Sequence, residues 1–161
     1  MPVSCACGRV ECAAQGAPIM VVACYCDDCQ QGARQIEALS GATAVLDADG
    51  GTAYVLYRKD RFECTRGREL LRVLRLKDSS PTRRVVAGCC NSPMYLDFEK
   101  GHWVNVFRPR LGAGPPRVQM GIQGRFRRSG GAPADVPVYR AFPPKFFARL
   151  LWARIAMLFS H

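Results

Sequence analysis

The spacing of the cysteines constrains this chain more than any other feature. Nine cysteines occur in 161 residues, and most of them stand in three tight groups. The groups are Cys5 with Cys7, then Cys24 with Cys26 and Cys29, then the adjacent pair Cys89 and Cys90. Thiolates this close in sequence can turn toward one cation, and four soft ligands at tetrahedral angles suit Zn²⁺. The spacing therefore predicts a domain built around zinc.

The other use of so many cysteines is a disulfide framework. The cysteine count is odd, and a disulfide that bridges a single residue would be strained. Residues 1–4 lead directly into the first cysteine pair and show no secretory signal. We therefore expect reduced thiols that bind metal, in a cytoplasmic protein.

The first predicted site joins the two ends of the cysteine pattern. One turn rarely supplies four ligands, so we expect Cys5 and Cys7 to meet Cys89 or Cys90. Such a site would close a loop of roughly 80 residues, where a bound metal contributes most to folding. Neighbouring side chains on an extended strand point to opposite faces, so Cys89 and Cys90 share a metal only across a sharp turn. We expect Gly88 to allow that turn.

The second predicted site uses the middle group. Cys24, Cys26 and Cys29 supply three thiolates and leave the fourth ligand undecided. Three protein ligands with a free position are typical of catalytic zinc, whereas four are typical of structural zinc. Cys89 is the alternative fourth ligand, if it does not complete the first site. The sequence thus predicts two zinc ions.

Short elements separated by turns are expected in the rest of the chain. The length of 161 residues fits one domain, and the 15 glycines and 11 prolines favour many short elements with turns over a helical bundle. A helix of about two turns is expected at residues 30–41, where Gly41 would follow its end. Alternating or apolar runs predict strands at 10–12, 19–23, 42–46, 53–57, 61–65, 70–76, 84–87, 95–98 and 103–107.

The C-terminal part of the chain differs in composition. We assign residues 1–142 to a zinc-binding β domain, in which the Gly-, Pro- and Arg-rich stretch 109–137 is expected to be a long surface excursion. Residues 143–161 are expected to form an amphipathic helix. This helix is too short and too basic to span a bilayer. We expect it to pack on its own domain, and the alternative is a helix that makes peripheral membrane contact or binds a partner.

The net charge indicates that partners are anionic, but it does not identify one. A formal net charge of +10 attracts anions of every kind, from acidic headgroups to small substrates. No recognised nucleic-acid motif accompanies this charge, and the basic stretch 58–84 is interpreted as the solvated face of a sheet. Outside the three groups, Cys12 and Cys64 are expected to be structural, and His102 is expected to be a surface or hydrogen-bonded residue.

Three motifs of the chain resemble one known family. The Cys5–Gly8 motif, the middle cysteine group and the Cys90–Pro93 motif resemble the glutathione-dependent formaldehyde-activating enzyme family, which includes centromere protein V. The resemblance spans roughly residues 3–107 and implies a mainly β fold of two zinc-stapled antiparallel sheets. It also implies a structural zinc, whose ligands would include Cys5, Cys7 and Cys90. A second zinc would be bound by Cys24, Cys26 and Cys29.

The resemblance implies a function and leaves an alternative. Tyr25 stands where that family has a histidine, and the Cys-Cys-Asn-Ser-Pro sequence at residues 89–93 resembles an uncharacterised branch of it. The implied activity is that of a carbon–sulfur lyase that forms or cleaves the S-hydroxymethyl adduct of glutathione. The alternative is a non-catalytic zinc module that binds a protein, a membrane or nucleic acid through its basic surface.

Overall fold

Ten strands and two α-helices form from the residues that the computed structural model describes, which are 1–112, 114–129 and 135–159. The helices are α1 (Asp27–Glu37) and α2 (Pro144–Leu158). The strands are β1 (Pro2–Ser4), β2 (Glu11–Ala14), β3 (Met20–Cys24), β4 (Thr52–Arg58), β5 (Phe62–Arg66), β6 (Leu71–Leu74), β7 (Thr82–Ala87), β8 (Ser92–Phe98), β9 (Trp103–Phe107) and β10 (Met120–Ile122).

A seven-stranded sheet forms the middle layer. Its strand order is β10-β3-β4-β9-β8-β7-β6, and a three-stranded sheet has the order β1-β2-β5. Side chains alternate between the two faces of a strand, so the middle sheet contributes side chains to two separate cores. Val21 and Val55 pack in the core that includes the small sheet, whereas Val22 and Leu56 pack in the core that includes both helices. Burial on both faces explains why all five residues of β3 are buried.

The prediction of a mainly β fold with two sheets and a C-terminal helix is confirmed, but the large sheet is mixed. All its neighbouring strands pair antiparallel except β10 and β3, which are parallel. The predicted strands are present with one exception. Residues 42–46 form no strand, because the amide groups of Val45 and Leu46 donate to the Glu37 carboxylate at 2.7 and 2.9 Å.

The stretch 109–137 was predicted to be a surface excursion, but part of it contributes to the core. Its strand β10 extends the large sheet, and Met120 and Ile122 are buried. Gly121 lies between them and lets the chain pass close to Tyr25, since a Cβ atom at Gly121 would lie 3.0 Å from the Tyr25 ring. Residues 113 and 130–134 lie outside the described part of the chain.

Helix α1 begins earlier and ends earlier than predicted. It starts at Asp27, and Cys26 caps its N-terminus, because the Cys26 sulfur accepts a hydrogen bond from the Cys29 amide. The helix ends at Glu37, four residues before Gly41. The middle cysteine group is therefore partly a helix N-terminus, which fixes the directions of its thiols.

Helix α2 covers one face of the large sheet with part of its surface. Phe146, Leu150 and Ala153 are buried, and His102 makes a 2.8 Å hydrogen bond from Nε2 to the Leu150 carbonyl. His102 is thus hydrogen-bonded, as expected. Within the described residues, neither α2 nor α1 has the length and apolar composition that crossing a membrane requires. The exposed side chains of α2 include Phe147, Leu151, Trp152 and Leu158.

The contact between α1 and β7 generates a test of the fold. Gly32 is buried in α1, and a Cβ atom there would lie 1.8 Å from Nε of Arg84. Ala favours helix over Gly by about 1 kcal/mol, but overpacking a rigid buried site costs roughly 1–3 kcal/mol. We expect Gly32→Ala to lower the free energy of unfolding in urea, whereas Gln31→Ala on the exposed side of the same helix should not. A Gly32→Ala protein as stable as the wild type would contradict this packing.

Candidate metal centres

The first cysteine group brings four thiols together from two distant turns. The Sγ atoms of Cys5, Cys7, Cys89 and Cys90 all lie within 4.8 Å of one another. The Cys5–Cys7 distance is 3.6 Å, the Cys7–Cys89 distance 3.4 Å and the Cys89–Cys90 distance 3.9 Å. Sulfurs at the corners of a tetrahedral zinc site are about 3.8 Å apart, given zinc–sulfur bonds of about 2.3 Å. The four thiols therefore fit a tetrahedral metal ion.

The turn that carries the adjacent pair differs from the predicted one. Gly88 does not have a left-handed backbone; the left-handed residue is Asn91, with φ of 51°. The Cys90 amide donates to the Ala87 carbonyl at 3.2 Å, which curls the chain between β7 and β8. This curl turns both thiols toward Cys5, so Cys89 lies with the first group and not with the second.

Hydrogen bonds hold the first group in place and give its thiols unequal acidity. The Val10 amide donates to the Cys5 sulfur at 3.2 Å, and the Ser92 hydroxyl lies 3.1 Å from the Cys90 sulfur. Hydrogen bonds from the Arg9 amide and guanidinium lower the pKa of Cys7 to about 6. Burial, together with hydrogen bonds among the thiols, raises the pKa of Cys89 to about 12.

The second group brings three thiols together where β3 meets α1. Cys24 ends the strand, Cys26 caps the helix and Cys29 lies in its first turn. The three Sγ atoms lie within 4.8 Å of one another, and the Cys24–Cys26 distance is 3.5 Å. No fourth Cys, His, Asp or Glu joins them from the residues that the structure describes. This donor set fits a metal ion with one position left for another ligand.

The thiols of the second group also differ in acidity. Hydrogen bonds from Cys24 and Cys29 lower the pKa of Cys26 to about 3. The hydrogen bonds with Cys26 and Cys29 raise the pKa of Cys24 well above its ordinary value. The hydrogen bond with Cys24 favours a Cys29 thiolate, but the bond with Cys26 and burial outweigh it and raise the pKa of Cys29 to about 12. Without metal, the group therefore holds one thiolate and two thiols at neutral pH.

Tyr25 has a packing role between two of these cysteines. Its hydroxyl donates to Asp49 Oδ2 at 3.0 Å, and Arg127 Nε donates to the same oxygen at 2.9 Å. Burial, with a contribution from Asp49, raises the pKa of Tyr25 to about 12. The side chain thus ties the cysteine turn to the chain beyond β10, and it does not line the cavity described next.

A cavity of about 520 Å³ adjoins the second group. It lies between the helix-covered face of the large sheet and α2, and all three cysteines line it at one end. Aromatic and aliphatic side chains make up most of its wall. The lining residues are Val22, Cys24, Cys26, Asp28, Cys29, Tyr54, Thr82, Arg84, Leu96, Phe98, Trp103, Asn105, Ile122, Phe142, Phe146, Phe147 and Leu150.

Arg84 is the buried charge of this cavity, and sequence reasoning missed it. Its side chain and backbone are together 2% exposed, and Nη2 donates to the Asp28 carbonyl at 2.7 Å. Nη1 has no hydrogen-bond partner among the described residues. The sequence offers one signal, since Arg84 is the second of two arginines that directly precede the apolar run 85–87. Many other arginines have similar neighbours, so that signal does not single out Arg84.

The two remaining cysteines lie opposite each other. Cys12 of β2 pairs in register with Cys64 of β5, although the sequence placed neither near another cysteine. Cys12 is 2% exposed and belongs to the core beneath the small sheet, and Cys64 packs against that core. Neither residue is part of the two groups that could hold a metal. The structural role expected for both agrees with this position.

Comparisons with known proteins show a family and a fold. Residues 1–107 match a family model described as a family of unknown function, DUF6151. A comparison with curated proteins finds no match. Among solved structures, the fold is similar to the crystal structure of a Rhodobacter sphaeroides protein, with 16% sequence identity and a TM-score of 0.54. The likeness covers 86% of this chain and 100% of that one, and at this identity it shows the fold alone.

The unequal acidity of the second group predicts proton release on metal binding. At pH 7 the pKa values of Cys24 and Cys29 lie above the pH and that of Cys26 lies below it. Because metal binds thiolates, loading this group should displace two protons. Calorimetry in two buffers of different ionisation enthalpy gives the number released. We expect wild type to release two more protons than the variant Cys24→Ser/Cys26→Ser/Cys29→Ser, and a difference of zero would contradict the assignment.

Proposed function

The chain belongs to the DUF6151 family, a family of unknown function, and we propose from the geometry of its cysteine groups that it is a two-zinc protein with one structural and one reactive zinc. The reactive site would act on a thiol–aldehyde adduct as a carbon–sulfur lyase, the activity that the resemblance to the formaldehyde-activating enzyme family implies. One observation carries this proposal. Three thiols without a fourth ligand from the described residues open onto a cavity of about 520 Å³.

The structural role of the first site is supported by its closed donor set. Four thiols surround one position at spacings that suit tetrahedral zinc. A metal there would connect the β1–β2 turn of the small sheet to the β7–β8 turn of the large sheet. Such a closed site leaves no position for a substrate.

The reactive role of the second site is supported by its open side. When bound, zinc stabilises a substrate sulfur as its thiolate, which is the nucleophile when the carbon–sulfur bond forms and the leaving group when it breaks. In the forward direction the thiol gives up its proton, the sulfur joins the aldehyde carbon as the carbonyl π bond breaks, and the oxygen takes up a proton and becomes a hydroxyl. In the reverse direction the hydroxyl loses its proton, the carbonyl re-forms as the carbon–sulfur bond breaks, and the departing thiolate takes up a proton.

The chain's own residues would bind and orient such an adduct. Tyr54 lines the cavity, and burial keeps its pKa well above the ordinary value, so its hydroxyl stays protonated and hydrogen-bonds the Cys29 sulfur, which would hold that ligand in place. Thr82 and Asn105 add polar groups to the wall. Phe146, Phe147 and Leu150 of α2 add an apolar wall against which the adduct could pack.

A turnover assay tests the proposed reaction. Wild type is incubated with glutathione and formaldehyde, and adduct formation is followed by NMR against the uncatalysed rate. Cys26→Ser should lose at least about 100-fold in rate, because loss of a ligand exceeds the usual effect of losing a residue that supports one. Cys64→Ser is the matched control, since Cys64 lies outside both groups. The same assay is run with an apolar thiol in place of glutathione. A wild-type rate equal to the uncatalysed rate with both thiols would contradict the lyase proposal.

A second candidate function is docking on an anionic membrane surface through α2. The helix exposes 57% of Phe147, 61% of Leu151 and 73% of Trp152. It also carries three basic residues and no acidic one, namely Lys145, Arg149 and Arg154. Apolar side chains flanked by cations are typical of helices that lie in a membrane interface. Two copies of so basic a helix would repel each other, which favours an anionic surface over self-association.

Vesicle binding tests this second candidate. We expect wild type to sediment with vesicles that contain about 30% anionic lipid and to dissociate as salt is raised. The double variant Leu151→Ser/Trp152→Ser should bind at least about tenfold more weakly. Burial of each wild-type side chain in the membrane interface would contribute roughly 1.5–3 kcal/mol to the binding free energy. Val73→Ser is the control, since Val73 is 52% exposed on the edge strand β6. Equal binding of both variants would contradict docking through α2.

A further inference from the structure

The cavity at the second cysteine group combines an apolar wall with one buried cation. Its volume of about 520 Å³ is ordinary for a site that binds a small organic molecule. Val22, Leu96, Trp103 and Ile122 supply apolar surface from the large sheet. A ligand that fills this space must therefore have an apolar body, because a group with several charges would lose its hydration without replacement.

The other wall of the cavity comes from a part of the chain outside the family match. Phe142, Phe146, Phe147 and Leu150 line it, whereas the match covers residues 1–107. Phe142 and Phe146 pack with their ring centroids 5.0 Å apart, and Phe146 and Phe147 with theirs 5.6 Å apart. The surface that would contact a ligand's apolar body is thus provided in part by α2 and by Phe142 just before it.

Arg84 supplies the charge. The residue lines the cavity and is 2% exposed, and one guanidinium nitrogen is bound to the Asp28 carbonyl while Nη1 has no hydrogen-bond partner among the described residues. A buried donor without a partner destabilises the protein, and an anionic ligand would offset that effect. Bidentate pairing with a planar carboxylate is the geometry that a guanidinium favours.

Two negative groups beside the cavity could compete for Arg84. The Asp28 carboxylate is exposed and therefore solvated, so its charge is screened by water. The positive charge of Arg84 stabilises the Cys26 thiolate and contributes to the low pKa of Cys26. Neither group makes a hydrogen bond to Nη1, which leaves that donor for a ligand.

We propose that this cavity selects a substrate that carries a single carboxylate and an apolar body, with the carboxylate on Arg84 and the apolar body under α2. The inference rests on the proposed function and narrows its substrate. Glutathione presents two carboxylates and an ammonium group, whereas this cavity offers one buried cation and mainly apolar walls. The preferred thiol is accordingly a small apolar acid.

Ligand pairs on the wild-type protein test the assignment without any mutation. Calorimetry measures the affinity of the zinc-loaded protein for octanoate, 1-octanol and acetate. A charge-assisted hydrogen bond to a buried guanidinium predicts that octanoate binds at least about tenfold more tightly than octanol. Loss of the apolar body predicts that acetate binds at least about 100-fold more weakly than octanoate. Equal affinity for octanoate and octanol would overturn the proposal and leave Arg84 as a counterion of the thiolates.

Matched variants on one helix locate the site. Phe147 lines the cavity and is 57% exposed, and Leu151, one turn later, is 61% exposed and does not line it. Both tolerate a polar replacement, so both variants should fold. Phe147→Ser should weaken octanoate binding by at least about fivefold, and Leu151→Ser should not change it. Equal effects of the two variants would contradict binding beneath α2.

The outcomes separate this inference from the proposed reaction. Octanoate binding depends on the cavity and on Arg84, and it does not depend on turnover. Selective octanoate binding without lyase activity on any thiol would therefore support the proposed ligand class and reject the lyase activity. Turnover of the glutathione adduct without selective octanoate binding would reject the ligand class and support the lyase. Arg84→Lys adds a further check, since the retained charge should keep part of the octanoate preference that Arg84→Met loses.

Discussion

Thiols from two turns far apart in sequence meet in the first cysteine group and bring the two sheets together. Cys5 and Cys89 are separated by 84 positions, yet their sulfurs lie 3.9 Å apart. One turn belongs to the small sheet and the other to the large sheet. Without a metal, these four thiols, of which Cys5 is buried and Cys7 exposed, would supply only weak hydrogen bonds between the sheets. With one, the loop between them is closed, which is where a metal contributes most to stability.

The large sheet separates this contact from the second cysteine group. Cys5 belongs to the core shared with the small sheet, and Cys24 to the core beneath the helices. Alternation along the strands produces this division, since Val21 and Val22 of the same strand enter different cores. One face thus holds a closed set of four thiols, while the other holds three thiols and a cavity. The same ligand type can serve stability on one side and chemistry on the other.

Local patterns predicted much of this fold and of the cysteine groups, but not the cavity. Strands such as Trp103–Phe107 follow from their own composition, and close cysteine spacing indicates which thiols converge. The strand Met120–Ile122 was missed because a three-residue strand in a Gly- and Pro-rich stretch has no periodicity of its own. Arg84 was missed because its burial depends on Gly32, a residue 52 positions earlier, which leaves room for the guanidinium.

X-ray absorption of the purified, reduced protein measures whether one of two zinc sites is closed and the other open. Two zincs per chain with about 3.5 sulfur ligands and about 0.5 light ligands per zinc would agree with this arrangement. In Cys89→Ser the sulfur count should fall to about 3 per zinc, because only the closed site contains that residue. Four sulfurs around every zinc, or a single zinc per chain, would show that the second site is not an open zinc site.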